Sequence, residues 1–220
     1  MNAGNADPAE YLKGTRELDI GDPLVRAAAA EAAGGAEDET EKARRLFYYV
    51  RDRFRYNMYP KSNRHENYYA SSVIRNGEGW CFQKSMLMAA LSRASGIAAR
   101  LVFAEVINHS LSEKVYRAIG TNHFSPHTFA ELFINGRWVP VTPVFDRGLC
   151  ASLGVPPVEF DGRNPALLGE RTLAGDPYME YVSKTQPYAG IPWEYVLGEI
   201  RRLYKEHAVI WFAEDFEKDL

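Results

Sequence analysis

Residues 77–90 of the chain read GEGWCFQKSMLMAA, which places a cysteine between two glycines and a long apolar run. From Trp80 to Ala94, apolar side chains cover nearly the whole circumference of a helix, a pattern typical of a largely buried helix. Gly96 follows as a natural C-terminal cap. Cys81 therefore lies at or next to the start of a buried helix, after glycines that permit a tight turn.

A cysteine in this position has two interpretations. Unpaired N–H groups and the helix dipole favour a thiolate at a helix start, so we expect a lowered pKa and a nucleophilic Cys81. A free cysteine is also often a small hydrophobic core residue, and the helix alone slightly favours this second interpretation. The only other cysteine is Cys150. Two cysteines are too few for a disulfide framework, so we expect reduced thiols.

The composition narrows the class of protein. The 220 residues fit one domain, 1–220, and a hydrophobic content of 46% is enough for a sizeable core. The formal net charge is -3, and no basic block indicates nucleic-acid binding or attachment to anionic lipids. The sequence shows neither a secretory signal pattern nor a membrane-spanning stretch, so we expect a cytoplasmic protein that binds no membrane.

The predicted elements run from helices to strands to a final helix, which indicates an α+β domain. Segments without periodicity interrupt them and are interpreted as long irregular connections. We expect a core at about 40–147 and a C-terminal extension at 148–220. The predicted helices cover 23–33, a second segment from near Thr40, 80–94 and 192–206, the strands 98–107, 127–134 and 137–141, and the connections 56–79, 109–126 and 148–192.

A hairpin fixes the position of one histidine. The dipeptide Asn135-Gly136 is the strongest short-range signal for a two-residue hairpin turn. In that register Ile134 faces Arg137, and His127 falls opposite Val144. Of the five histidines, His127 is the one that opens a predicted strand, so it is the candidate base for a cysteine nucleophile.

The same register suggests which residue orients the imidazole. Thr142 and Asp146 are the diagonal neighbours of His127 on its face of the hairpin, within reach of long side chains. Asp146 is the candidate orienting residue among them. Pro143 lacks a backbone donor, however, and can end the regular pairing before Asp146.

The sequences GEGWCFQKSMLMAALSRASGIAARLVFAEV (77–106) and HTFAELFINGRWVPVTPVFD (127–146) together resemble the core of the transglutaminase-like superfamily. The combination is specific: a cysteine before a buried helix, a G-I-x-A-R strand, then H-x-F-x-E-x-x-x-x-G-x-W. The resemblance extends from about Thr40, through LGVPPVEFDG and MEYV, to about Glu199. It implies a papain-like α+β fold, with the cysteine-bearing helix packed on an antiparallel sheet that supplies His and then Asp or Asn.

The resemblance also implies roles for single residues. Cys81 matches the nucleophile and His127 the base. Many members carry Asp where this chain has Thr142, but a bacterial branch reads T-P-x-F-N or T-P-x-F-D, and on that pattern Asp146 is the match. We expect Asp146 as the third catalytic residue, with Thr142 as the alternative, because a carboxylate stabilises the imidazolium better than a hydroxyl does.

An oxyanion site is expected next to the nucleophile. The backbone N–H of Cys81 is a natural donor because it lies at a helix start. The family usually adds a side-chain donor from upstream. The candidates for this second donor are Tyr56, Asn57, Tyr59 and Trp80.

These observations predict a thiol-dependent hydrolase of amide or peptide-type bonds that acts through a Cys-His-Asp triad and a thioester acyl-enzyme. The expected substrate is a peptide, a protein or another amide, and no cofactor is expected. One alternative is transglutaminase-type acyl transfer to an amine, which shares the acylation step. Another is a catalytically silent papain-like binding module, which the missing Asp at position 142 favours.

A metal site is the weakest alternative. His123, His127, Cys81 and Cys150 are zinc-ligand residue types, but Pro126 prevents a continuous helix through both histidines. The sequence has no C-x-x-C or H-E-x-x-H motif. We therefore expect no metal.

Overall fold

The computed structural model describes residues 7–213 and 215–220 and has the expected α+β architecture, with helices packed against an antiparallel sheet. Short 3₁₀ helices occur at Pro8–Leu12, His65–Tyr68, Lys205–Ile210 and Phe216–Asp219. Among the described residues, no helix combines the length and apolar character needed to cross a bilayer. The helices are α1 (Pro23–Ala33), α2 (Glu39–Arg53), α3 (Ala70–Asn76), α4 (Cys81–Ala94), α5 (Glu113–Ile119), α6 (Arg147–Leu153) and α7 (Trp193–Tyr204), and the strands are β1 (Arg55–Tyr56), β2 (Glu78–Gly79), β3 (Ala99–Asn108), β4 (His123–Ile134), β5 (Arg137–Val141) and β6 (Met179–Lys184).

The main sheet has the strand order β5-β4-β3-β6, and every neighbouring pair is antiparallel. The predicted hairpin register is confirmed, because Ile134 pairs with Arg137 and Ala130 with Val141. Strand β4 begins earlier than predicted, at His123. Strand β6 comes from the segment interpreted as irregular, so the C-terminal extension supplies an edge strand to the same sheet as the core.

Helix α4 lies at the centre of the core, as its apolar circumference predicts. Lys84, Ser85 and Ser92 of this helix have no exposed surface; Lys84 and Ser85 have hydrogen-bond partners, whereas the Ser92 hydroxyl has none among the described residues. Lys84 donates from Nζ to the backbone carbonyl of Arg51 at 3.0 Å, and Ser85 donates from Oγ to that of Thr128 at 2.7 Å. Buried polar groups stabilise a fold only when they are paired in this way. These bonds attach α4 to the end of α2 and to β4.

The turn into α4 uses two glycines for different reasons. Gly77 ends α3 with a φ of 69°, in the left-handed region that favours glycine. Gly79 lies in β2, and a Cβ added there would come within 2.9 Å of the Gln83 Cβ. Strand β2 pairs in parallel with β1, which brings Tyr56 beside Gly79. The tight approach of this strand to the first turn of α4 places Cys81 at the first residue of the helix.

Three helices lie in segments that the sequence pattern marks as irregular. Each of α3, α5 and α6 has 7 residues, too few to show a helical period of apolar residues. Helix α7 begins at Trp193, as predicted, and gives way to the 3₁₀ helix at Lys205. The short helices α5 and α6 matter for function because they border the cavity next to Cys81.

Candidate active site

Cys81 and His127 line one cavity of about 300 Å³. Cys81 is half-buried at the start of α4, and His127, on β4, is 4% exposed. Backbone N–H groups of Thr128, Phe82 and Cys81 itself face the Cys81 sulfur. The thiol thus lies between the first turn of α4 and the strand that carries His127. The two residues that the sequence predicts as nucleophile and base thus border the same cavity.

The resting charge of the pair differs from the expectation. Burial raises the pKa of the Cys81 thiol to about 11, and the three backbone N–H groups only partly oppose this rise. Burial lowers the pKa of His127 to about 4. The predicted lowering of the Cys81 pKa is therefore wrong for the resting site, because loss of hydration outweighs the helix start. At neutral pH the pair consists of a neutral thiol and a neutral imidazole.

The partner of His127 in the structure is Tyr181, on β6. The Tyr181 hydroxyl lies 3.4 Å from His127 Nε2, and the two rings meet edge to face with centroids 5.7 Å apart. The two side chains approach each other because β3 pairs with both their strands: Ala104 pairs with His127, and Val106 with Tyr181. Sequence reasoning missed Tyr181. The alternation in the segment MEYV was the available signal, and it is weak.

Tyr181 also adjoins the position where many relatives carry aspartate. Burial raises the pKa of Tyr181 to about 12, and the side chain of Thr142 is the first of the groups that oppose the rise. The backbone N–H of Leu168 donates to the Tyr181 hydroxyl at 3.4 Å. Thr142 is fully buried, and its hydroxyl makes no hydrogen bond with His127 or with another described residue. The phenol of Tyr181 thus lies between Thr142 and the imidazole.

Asp146 has a different place from the one the hairpin predicts. Strand β5 ends at Val141, so the diagonal neighbour argument for Asp146 is wrong, for the reason that Pro143 suggested. Asp146 is instead the N-cap of α6, and its Oδ1 accepts the N–H of Leu149 at 2.9 Å. Its Oδ2 accepts the N–H of Tyr56 at 3.2 Å. Both carboxylate oxygens therefore accept hydrogen bonds from backbone N–H groups that border the cavity. Neither oxygen accepts a hydrogen bond from His127.

The charge state of Asp146 fits this capping role. Burial alone would raise its pKa, but the N–H groups of Leu149 and Tyr56 and the charge of Lys84 outweigh burial, and the net pKa is lowered. An ionised N-cap is the favourable form at a helix start. Its contribution is to hold β1 against α6.

Replacing Tyr181 by phenylalanine is expected to slow acylation of Cys81 more than replacing Asp146 by alanine. Loss of one hydrogen bond to the imidazole corresponds to about 3- to 10-fold in kcat/KM. Asp146→Ala removes a cap and is expected to lower the free energy of unfolding by about 1–2 kcal/mol. Ester hydrolysis and urea denaturation of both variants give the comparison. If folded Asp146→Ala hydrolyses the ester tenfold more slowly and Tyr181→Phe is unaffected, Asp146 and not Tyr181 is the residue that orients the imidazole of His127.

The four candidates for the second oxyanion donor differ in their position relative to the cavity. Tyr56 lines the cavity, and burial, followed by the nearby Cys81, raises its pKa well above the usual value, so its phenol adjoins the thiol. Asn57 and Tyr59 also line the cavity, but the Asn57 amide donates to Glu78 and Tyr59 is 47% exposed. Trp80 packs between Phe82 and Trp211, outside the cavity lining. Tyr56 is thus the candidate whose side chain both lines the cavity and interacts electrostatically with the Cys81 thiol.

The other zinc-type side chains lie apart from this pair. His123 Nδ1 is 2.7 Å from a carboxylate oxygen of Glu105, and Cys150 is buried with its sulfur 3.8 Å from the Phe145 carbonyl. Neither lines the cavity of Cys81 and His127. In the part of the chain that the structure describes, no group of three or more His, Cys, Asp or Glu residues has a metal-binding arrangement.

The fold agrees with a comparison against protein families. The model of the transglutaminase-like superfamily matches residues 26–143, more than half of the chain. The chain belongs to the transglutaminase-like superfamily. That match includes α4 with Cys81, β4 with His127, and Thr142. This superfamily is of the papain-like, thiol-enzyme kind. Comparison with curated proteins gave no match.

Two solved structures are similar to parts of this chain at low identity. One is described as "Putative Cysteine Protease from Cytophaga hutchinsonii", with 17% identity and a TM-score of 0.49 over 86% of this chain and 57% of that one. Another is the periplasmic domain of TgpA from Pseudomonas aeruginosa, with 20% identity and a TM-score of 0.45 over 63% of this chain and 48% of that one. The chain thus spans about half the length of each.

Proposed function

We propose that the protein is a thiol-dependent hydrolase of amide and ester-type acyl bonds, with Cys81 as nucleophile and His127 as base. The observation that supports this proposal is the single cavity lined by both side chains, at the start of a buried helix. Membership of a thiol-enzyme superfamily also supports the proposal that Cys81 is the nucleophile and His127 the base. The expected substrate is a peptide or another amide.

Acylation begins from the neutral pair. As the Cys81 sulfur attacks the substrate carbonyl carbon, His127 accepts the thiol proton. If Nε2 keeps its own proton and donates it toward Tyr181, then Nδ1 is the nitrogen left to accept. The carbonyl oxygen gains negative charge, which the Cys81 backbone N–H and the Tyr56 hydroxyl are positioned to stabilise. The imidazolium then protonates the leaving amine or alcohol as its bond to the acyl carbon breaks.

Deacylation reverses these roles. Water attacks the thioester while His127 accepts one of its protons. The bond between carbon and sulfur breaks, and the imidazolium returns a proton to the Cys81 thiolate. Free acid and neutral enzyme result. An amine in place of water would give acyl transfer from the same thioester.

Trapping of the acyl-enzyme tests the proposal. Incubation with p-nitrophenyl hexanoate, acid quench and mass spectrometry of peptides should show the acyl mass on Cys81, with Cys150 unmodified in the same sample. Addition of hydroxylamine should release that mass, since it cleaves thioesters. Acylation of Cys150 alone, or of neither thiol, would contradict the proposal. A glycine amide in the reaction then separates the two fates, because transfer yields the N-acyl product and hydrolysis the acid.

A further inference from the structure

The cavity next to Cys81 has an apolar wall. None of the described residues that line it is Asp, Glu, Lys or Arg, and His127 is neutral at pH 7 because of its lowered pKa of about 4. The polar lining groups are asparagine amides, serine hydroxyls and tyrosine phenols. Apolar side chains make up the rest, including Val106, Val115, Phe124, Leu149, Val155 and Leu168.

Several of these apolar side chains are not fully covered in the free protein. Leu153 is 47% exposed, and Leu111, Val115 and Leu149 are half-buried. They come from α5, α6 and the residues beside them, two helices that border the cavity. Partly covered apolar groups around a cleft gain free energy when an apolar ligand displaces water from them.

One polar group in the wall of the cavity has no partner in the described part of the chain. Tyr178 is 2% exposed and lines the cavity, and its hydroxyl makes no hydrogen bond with any other described residue. A buried hydroxyl left unpaired is unfavourable. Because the hydroxyl lies within the wall and the lining carries no cation, the cavity offers no charged partner to a carboxylate.

We propose that this cavity is the acyl-group site and that it selects a bulky, uncharged, apolar acyl group, aromatic or medium-chain aliphatic. The inference rests on the proposed function of Cys81. A cavity of about 300 Å³ exceeds one that holds benzene, for which roughly 150 Å³ is enough. A charged acyl chain is excluded because no opposite charge in the wall would replace its hydration. The acyl chain lies among α5, α6 and β3, with its carbonyl at the sulfur.

Chain-length dependence of ester hydrolysis tests this selectivity. We expect kcat/KM for p-nitrophenyl acetate, butyrate and hexanoate, normalised to their hydroxide rates, to rise by up to about fourfold for each methylene buried. The hexanoate should exceed the acetate at least tenfold. The mono-p-nitrophenyl ester of adipic acid has the same chain with a terminal carboxylate and should react at least tenfold more slowly than the hexanoate. The 3-phenylpropionate ester distinguishes an aromatic from an aliphatic preference.

A matched pair of variants in α5 tests whether the acyl chain of the substrate binds in this cavity. Val115→Asp puts a charge into the wall and should lower the hexanoate rate at least tenfold more than the acetate rate. Tyr116→Asp puts the same charge on an exposed residue of the same helix, outside the lining, and should leave both rates within about twofold. Equal effects of the two variants would overturn the placement.

The outcomes separate this inference from the proposed function. If every ester is hydrolysed equally well and all turnover requires Cys81, the proposed function stands and the acyl selectivity is wrong. If no ester gives turnover that requires Cys81, the proposed function fails. In that case a binding measurement alone tests the acyl selectivity. Hexanamide should protect Cys81 from alkylation at a concentration at least tenfold lower than acetamide does. Equal protection by the two amides would overturn it.

Discussion

Replacing Cys81 by alanine is expected to reduce ester hydrolysis to the background rate, a loss of at least about 10⁴-fold in kcat. The reason is that Cys81 is the only thiol among the described residues that line the cavity with His127: Cys150 lies outside it, buried against the Phe145 carbonyl. Burst and steady-state release of p-nitrophenol from the hexanoate ester measure both acylation and turnover. Wild-type protein should show a burst that the variant lacks.

Two control variants make this result specific. Cys150→Ala removes the other thiol and should retain the burst. Cys81→Ser keeps a small polar side chain at the helix start but removes the more nucleophilic sulfur, so it should lose nearly as much as alanine does. Circular dichroism should be unchanged in Cys81→Ala, because the side chain is half-buried and contracts by one atom. Full activity in Cys81→Ala would contradict both the nucleophile and the proposed mechanism.

The parts of the site that could be predicted from sequence are those set by local pattern. Cys81 follows from the apolar circumference of α4, and the position of His127 from a hairpin whose turn chemistry fixes the register. Neither deduction needs knowledge of distant contacts. The register correctly pairs Ile134 with Arg137, but it was extended beyond the end of β5, and this extension misplaced Asp146.

The contact between Tyr181 and His127 could not be predicted because it depends on an edge strand that is distant in the sequence. Tyr181 reaches His127 only when β6 pairs with β3, and the long connection before β6 carries no periodic signal. Thr142 stands where many relatives carry aspartate. In the structure, the phenol of Tyr181 from another strand lies between Thr142 and His127.

The electrostatics of the pair were predicted in the wrong direction for a physical reason. A helix start favours a thiolate when water or a nearby cation also supports the charge. Here Cys81 faces an apolar cavity, Tyr181 and Tyr204 are neutral phenols in its surroundings, and burial dominates. The depth of burial depends on the whole fold, so the residue sequence around Cys81 does not reveal it.

The pH dependence of His127 provides the second large effect. His127→Ala is expected to lower kcat/KM by about 10²- to 10⁴-fold, because the thiol then has no base. In wild-type protein the imidazole must be neutral to accept the thiol proton, and its lowered pKa of about 4 keeps it neutral throughout the range above that value. The rate should therefore remain high at pH 5 and fall only as the pH approaches 4. A fall centred near pH 6.5, the value of an unperturbed histidine, would contradict this account.

Stability gives an independent measurement of the same pKa. The unfolded chain binds a proton at this histidine below about pH 6.5, whereas the folded protein does so only below about 4, so acid favours unfolding in the interval between them. The matched variant is His127→Gln, which keeps a polar side chain that does not titrate. From pH 7 to pH 4.5, the free energy of unfolding of wild-type protein should fall by about 2–3 kcal/mol more than that of His127→Gln. A resting thiolate–imidazolium pair would raise the folded pKa of His127 instead, and wild-type protein would then gain stability relative to the variant as the pH is lowered.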